Sequence, residues 1–181
     1  MAVLKIIDKE DFIMKKILTA LFCLTASICF CAENLIVNPN GENEFKGFWK
    51  SPRAGIVSEN GVIILSGMPE SQKDSENFTK LMQVLKRPPE ELQNKKMILS
   101  FQIRLAKISG SLQIAVREAF GKSALYHGRT FKRYDGGQEW RKISVPFTTR
   151  ANTSALMFHL NAGYLAPDDR IEIKDLQLSE Q

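Results

Sequence analysis

The chain has 181 residues, of which 44% are hydrophobic and 25% charged, and its formal net charge is +5 at neutral pH. This length suits one domain with a packed core once processing segments are removed, and the net charge is too small to indicate nucleic-acid binding. The mildly basic balance fits an ordinary wet surface or a preference for anionic glycans or an anionic cell surface.

The N-terminal region has the pattern of a secretory signal. Lys15 and Lys16 precede an apolar run over residues 17–30, which is shorter than the ~20 residues of a membrane span. The residues before Met14 are acidic and suit a signal poorly, which favours Met14 as the start. We therefore predict that residues 1–31 are an extension plus a signal peptide.

The cysteines all fall in this leader, at Cys23, Cys29 and Cys31. Their small side chains favour cleavage before Ala32, whereas bulky residues in front of Cys29 and Cys31 disfavour lipidation. Residues 32–181 are thus predicted to be a secreted domain, extracellular or periplasmic, without disulfides or thiolate chemistry.

Turn signals divide the middle of the chain. Asn60-Gly61 between two apolar segments predicts a β-hairpin over residues 56–65. Residues 78–85 fit either a helix or a strand, and Pro88-Pro89 would end any helix there. Residues 89–92 suit one helical turn.

Alternation of apolar and polar residues predicts strands over residues 97–106 and through the segment that follows Ser109-Gly110. The inward positions are Leu99, Phe101, Ile103, Leu105, Leu112, Ile114 and Val116. Residues 125–134 form another predicted strand, which is rich in hydrogen-bonding side chains.

The last third of the chain alternates in three pieces, which predict half-buried antiparallel strands. The inward residues are Ile143, Val145 and Phe147, then Leu156, Phe158 and Leu160, and finally Ile171, Ile173, Leu176 and Leu178. The phase of the closing piece slips by one residue, which predicts a β-bulge near Lys174-Asp175.

Both ends of this region resemble the cenC-type carbohydrate-binding modules. The opening segment reads Asn34-Leu35-Ile36-Val37-Asn38-Pro39-Asn40-Gly41-Glu42 and is followed by Gly47-Phe48-Trp49. The closing segment has Trp140 before an alternating strand, and it ends on Ile173-Lys174-Asp175-Leu176-Gln177-Leu178. The resemblance implies a galactose-binding-like jelly roll and favours a strand over residues 78–85.

We therefore predict an all-β fold, a two-sheet antiparallel β-sandwich of nine or ten strands over residues 32–181. On such a sandwich every second residue of a strand faces the same way. If the central strands are neighbours, one outward face collects polar side chains: Gln102, Arg104, Gln113, Arg117, His127, Arg129, His159 and Asn161. Arginines and amides of this kind bind sugar hydroxyls and carboxylates, although an ordinary wet sheet face has the same composition.

Aromatic residues could stack on sugar rings, and the candidates are Tyr126, Tyr134 and Tyr164, which lie near strand ends or loops; Tyr126 directly precedes His127. Adjacent residues of a regular strand face opposite ways, so only one of these two can lie on the outward face. Trp49 and Trp140 occupy positions that, by the resemblance, are packing positions in the core or at its rim. The predicted ligand-binding residues are Arg104, Gln113, Arg117, Tyr126, His127, Arg129 and His159.

The resemblance also implies a structural Ca²⁺ between the opening segment and a closing pair of acids. Here that pair is Lys174-Asp175, so one acid is replaced by a base. Glu42 and Asp175 remain as candidate calcium ligands.

No catalytic motif is present, and no pair among Glu118, Asp135, Glu139 and Asp168 is selected by spacing, so we expect these acids to be solvated and the protein not to be an enzyme. We predict a secreted carbohydrate-binding protein whose partner is a glycan, without a nucleic acid or a membrane span. The alternative is an extracellular or envelope β-sandwich that contacts a protein partner without binding a glycan.

Overall fold

The computed structural model describes residues 33–51, 55–67, 78–135, 137 and 139–181. The predicted leader therefore lies outside the described residues. The described part contains nine strands: β1 (Trp49–Lys50), β2 (Ile56–Glu59), β3 (Val62–Ser66), β4 (Phe78–Val84), β5 (Lys96–Phe120), β6 (Ser123–Asp135), β7 (Arg141–Thr148), β8 (Thr153–Gly163) and β9 (Arg170–Glu180). Two short turns complete it: α1 (Glu42–Phe45), whose inner residues are left-handed, and α2 (Pro89–Leu92).

The long strand β5 organises the fold because its two halves pair with different strands. Residues 96–107 pair with β7 on one side and β9 on the other. Residues 111–120 pair with β6 and β8, and the pairing with β6 extends back to Lys107 and Ile108. Every pairing is antiparallel, and because β5 pairs with strands of both groups, the nine strands form one continuous sheet that curls into two layers around a shared core, a β-sandwich.

We name the two layers by their strand order. Sheet I is β7–β5–β9–β3–β2, and sheet II is β6–β5–β8–β4–β1. The inward residues of both sheets form one apolar core, in which Leu99 and Phe101 of sheet I join Ile114, Val116 and Phe158 of sheet II. The predicted all-β sandwich and its inward positions are confirmed.

The local predictions within these strands are also confirmed. The turn between β2 and β3 uses Asn60 and Gly61, both with positive φ, as a two-residue hairpin requires. The register of β9 against β5 shifts between Ser100 and Gln102, so that β9 has one residue more than β5 in this stretch. Asp175 lies in the stretch and has a φ of 52°. This is the predicted bulge, and it keeps both apolar pairs of β9 in the core.

The opening segment is tied to the closing strand by side-chain amides. Asn34 Oδ1 accepts from the backbone N–H of Leu178 at 3.0 Å, and Asn34 Nδ2 donates to the carbonyl of Leu176 at 2.9 Å. Gln83, on the inward side of β4, bonds both backbone groups of Val37 at 2.8 Å. The two end motifs of the sequence are therefore in direct contact in the fold.

Candidate functional site

The outer face of sheet II is the candidate site, and strand register defines it. Directly paired residues of antiparallel strands lie on the same side of a sheet. One row across sheet II is Tyr126, Arg117, Met157 and Val84; the next is Gly128, Ala115, His159, Met82 and Trp49; the third is Thr130, Gln113, Asn161 and Lys80. With strands about 4.8 Å apart, the five strands span roughly 19 Å.

Two exposed aromatic side chains lie towards opposite edges of this face. Trp49, on the edge strand β1, is 51% exposed, and Tyr126, on the opposite edge strand β6, is 48% exposed. Exposed aromatic rings with an apolar body offer flat surfaces for ligand contact. Residues of β4, β5 and β8 fill the space between them.

Small residues at the centre allow Tyr126 to reach across a strand. Its ring meets the ring of His159 edge-on, with centroids 5.7 Å apart, although β5 lies between their strands. The β5 residue paired with His159 is Ala115, and the β6 residue paired with Ala115 is Gly128. A Cβ on Gly128 would lie 2.2 Å from the carbonyl oxygen of Ile114 and 2.5 Å from Ala115 Cα, so glycine permits the close approach of the two strands.

The surroundings of His159 favour its neutral form. Burial lowers its pKa below the ordinary value, and the charges of Arg117 and Lys80 lower it further. Its Nε2 lies 3.0 Å from Met157 Sδ. A neutral imidazole has one donor and one acceptor nitrogen, which suits contact with a hydroxyl group.

Asn161 and Gln113 are paired across β8 and β5 on this face. Asn161 Oδ1 is a buried acceptor that has no hydrogen-bond partner within the described part of the chain. Buried acceptors without a partner are rare, and water or a ligand commonly satisfies them.

The sequence-based candidates do not all lie on this face. Gln113, Arg117, Tyr126 and His159 share it, as does Asn161. Arg104, Arg117 and Arg129, however, lie on three different surfaces, so the expected gathering of three arginines on one face is wrong.

Arg104 lies on the outer face of sheet I, opposite Glu172 of β9. It pairs with the carboxylate of Glu172, which Arg170 Nε also approaches to 2.8 Å. Burial raises the pKa of Glu172, but hydrogen bonds from the two guanidinium groups outweigh it and hold the pKa below its ordinary value. These side chains line a shallow pocket of about 240 Å³.

His127 and Arg129 lie on the other side of β6 from Tyr126. His127 turns inward, where its ring stacks on Phe147 with centroids 4.3 Å apart and its Nε2 lies 2.8 Å from Glu118 Oε2. Arg129 pairs in register with the inward residue Ile114, but it is exposed at the sheet edge. The expectation that at most one of Tyr126 and His127 faces outward is confirmed, and that residue is Tyr126.

Two further features departed from the sequence-based expectations. Glu118, expected to be solvated, is fully buried. Trp49, expected to pack in the core or at its rim, lies on the outer face opposite Met82. One sequence signal could have identified the outward residues of β4. Its exposed or half-buried residues Lys80, Met82 and Val84 alternate with the buried residues Leu81 and Gln83.

The two candidate calcium ligands, Glu42 and Asp175, have different surroundings. Asp175 Oδ2 already accepts from Gln102 Nε2 at 2.6 Å, and Glu42 lies exposed in α1. Among the described residues, no three His, Cys, Asp or Glu side chains converge as metal ligands would. Calcium at Glu42 and Asp175 therefore stays a prediction, which the unfolding temperature measured with calcium and with EDTA would test.

No protein-family model and no curated protein matches the sequence. Solved structures do resemble the fold. "Family 16 Carbohydrate Binding Module-2" has a TM-score of 0.59 at 19% identity, with 81% of this chain and 100% of that chain covered. TmCBM61 in complex with beta-1,4-galactotriose has a TM-score of 0.54 at 16% identity, with 83% of this chain and 100% of that chain covered.

A third similar structure belongs to a much longer protein. The enzymatically active domain of bacteriophage CBA120 tailspike protein 4 has a TM-score of 0.54 at 10% identity, with 82% of this chain but 21% of that chain covered. At these identities the likeness establishes a jelly-roll fold of the kind found in carbohydrate-binding modules. It does not favour the alternative of a protein-interaction module. None of the helices among the described residues is long and apolar enough to cross a membrane.

Proposed function

We propose that this protein binds an oligo- or polysaccharide on the outer face of sheet II. The observation that carries the proposal is the single face that combines exposed Trp49 and Tyr126 with polar side chains from three intervening strands. Ligand sites typically combine aromatic surface with a few well-placed polar groups. Sugar rings present apolar C–H faces and hydroxyl edges, so they match both parts.

The hydrogen-bonding groups support this assignment by their chemistry. Asn161, Gln113 and neutral His159 each offer both a donor and an acceptor, as a sugar hydroxyl does. Arg117 adds a planar donor beside them.

We also infer that the protein binds without hydrolysing its ligand. Glycoside hydrolysis ordinarily requires two carboxyl groups about 5–10 Å apart across the bound sugar. The described outer positions of sheet II include neither Asp nor Glu, and Glu118 on the same strand is buried on the inward side. The signal-like leader supports action outside the cytoplasm.

A glycan array with the purified protein tests this proposal, with matched variants from the two sides of β6. Tyr126→Ala and Arg117→Ala should each weaken binding at least about tenfold, a loss of about 1.4 kcal/mol. Leu125→Ala and Arg129→Ala change exposed neighbours on the opposite side of β6 and should bind as the wild type does.

Two outcomes would contradict the proposal. If the wild type binds no polysaccharide when calcium is present, glycan binding is excluded and the alternative of a protein-interaction module is favoured. If Arg129→Ala weakens binding and Arg117→Ala does not, the ligand lies on the other side of β6. Circular dichroism of each variant establishes that the fold is retained.

A further inference from the structure

The charged side chains at the described positions of the outer face of sheet II are all basic. They include Arg117, Lys80 and Lys132, from three different strands. The same positions carry neither Asp nor Glu. A surface lined by charges of one sign concentrates ligands of the opposite sign.

On the outer face of sheet I, three cations pair with acids, which contrasts with Arg117 on sheet II. Arg104 and Arg170 both pair with Glu172. Lys107 pairs with Asp168. The ion pairs of the described residues do not include Arg117, although Arg117 is half-buried.

Two of the cations on sheet II surround its central histidine. Arg117 on β5 pairs with Met157, and Lys80 on β4 pairs with Asn161, so each is a diagonal neighbour of His159. Diagonal neighbours of this kind lie about 7–8 Å apart. Burial is the largest cause of the lowered pKa of His159, and the positive charges of Arg117 and Lys80 lower it further.

We propose that the glycan bound on this face is anionic and carries carboxylate or sulfate groups that Arg117 and Lys80 contact. This inference rests on the proposed glycan-binding function and names its ligand class. An unpaired, half-buried guanidinium gains from an anionic partner because charge-assisted hydrogen bonds are about twice as strong as neutral ones. The flanking Trp49 and Tyr126 would contact the apolar faces of the sugar rings.

Isothermal titration with matched polysaccharides tests the inference. Polygalacturonate should bind at least about tenfold tighter than the same backbone fully methyl-esterified, which keeps the sugar rings but removes the charge. Chondroitin and chondroitin sulfate form a second pair, and a difference between them would assign the contact to sulfate. Neutral β-1,4-galactan serves as the uncharged reference.

Salt and variants provide independent readouts. Binding of the preferred anionic glycan should weaken severalfold between 50 and 500 mM NaCl, since salt screens exposed charges. Arg117→Gln and Lys80→Gln should each reduce the preference for the charged member of a pair. Arg129→Gln, an exposed arginine on the other side of β6, should leave that preference unchanged.

The outcomes separate the two proposals. Equal binding of charged and esterified polymers, or binding of neutral galactan alone, would overturn the anionic ligand and leave glycan binding intact. No binding of any polysaccharide would overturn both. A charge preference that Arg117→Gln, Lys80→Gln and Arg129→Gln leave unaltered would place the anionic contact elsewhere and overturn this inference.

Discussion

The residue with the most demanding environment is Glu118, a fully buried carboxylate on the inward side of β5. Its Oε1 accepts from the backbone N–H of Arg150 at 2.7 Å and from Thr153 Oγ1, and its Oε2 lies 2.8 Å from His127 Nε2. Burial raises the pKa of Glu118, but these hydrogen bonds outweigh burial and hold the pKa below its ordinary value. The carboxylate therefore joins β5, β6 and the turn before β8.

Glu118→Gln should destabilise the fold by about 2–4 kcal/mol at neutral pH, because an amide cannot accept all of these hydrogen bonds and a buried partner is left unsatisfied. Glu180→Gln is the matched control, since Glu180 makes an exposed ion pair with Lys95 at 2.9 Å. Exposed pairs of this kind contribute at most about 1 kcal/mol. Urea unfolding of both variants measures the difference, and equal losses would contradict this account.

Because the pKa of Glu118 is lowered in the fold, the stability of the protein should depend on pH. A carboxyl group whose folded pKa is depressed contributes stability above its unfolded pKa, and this contribution is lost as pH falls through the folded value. The ordinary pKa of the group is 4.5. The stability difference between wild type and Glu118→Gln should therefore be constant near neutral pH and shrink as the pH falls below about 4.5. A difference that grows on acidification would show that Glu118 is not held as the anion.

Among the strands, β5 links the two sheets. It bends from one sheet to the other between Ile108 and Ser111, where its register against β6 shifts. Gly110 lies at that bend, and a Cβ there would lie 1.9 Å from the carbonyl oxygen of Gly163 and 2.7 Å from that of Tyr164. Both atoms belong to the backbone, which cannot rotate away as a side chain does. The absence of a side chain at this position thus permits the passage from sheet I to sheet II.

Gly110→Ala should destabilise the fold by about 3 kcal/mol, the upper end of the usual cost of overpacking. Gly121→Ala provides the comparison, because a Cβ there has no neighbour within 4 Å and only the backbone φ of +58° is unfavourable. Such a left-handed residue costs about 1–2 kcal/mol. Thermal unfolding of the two variants tests the order, and a larger loss for Gly121→Ala would contradict the steric explanation.

At the scale of the whole molecule, the shared strand and the shared core predict cooperative unfolding of the two sheets. The two tryptophans can report on them separately. Trp49 lies on sheet II, whereas Trp140 lies against the outer face of sheet I, with Lys174 Nζ 4.3 Å and Arg104 Cζ 5.1 Å from its ring. Small domains with one core usually unfold in a single transition.

Trp49→Phe and Trp140→Phe variants should therefore show fluorescence transitions in urea that coincide with each other and with circular dichroism, after correction for any change in stability. Separate midpoints within one variant, measured by fluorescence and circular dichroism, would show that one sheet unfolds before the other.

The sequence by itself determined which residues face the core in the strands with clear apolar alternation, though not in β6, because alternation is a local property. It also predicted the Asn60-Gly61 hairpin, the turn at residues 89–92 and the bulge at Asp175, each of which follows from a few adjacent residues. It correctly placed Gln113, Arg117 and His159 on the outward side of their strands.

Only the tertiary structure decided which outward residues share a surface. Arg104 and Arg117 both point away from the core on β5, but the bend at Gly110 puts them on opposite outer faces of the sandwich. His127 lies inward opposite Val116, where it meets the buried Glu118; alternation along β6 separates Tyr126 from His127 but does not determine which of the two faces the core. Trp49 became part of the candidate site through its pairing with β4. Alternation distinguishes inside from outside, whereas long-range strand pairing determines which of the two outer faces a side chain joins.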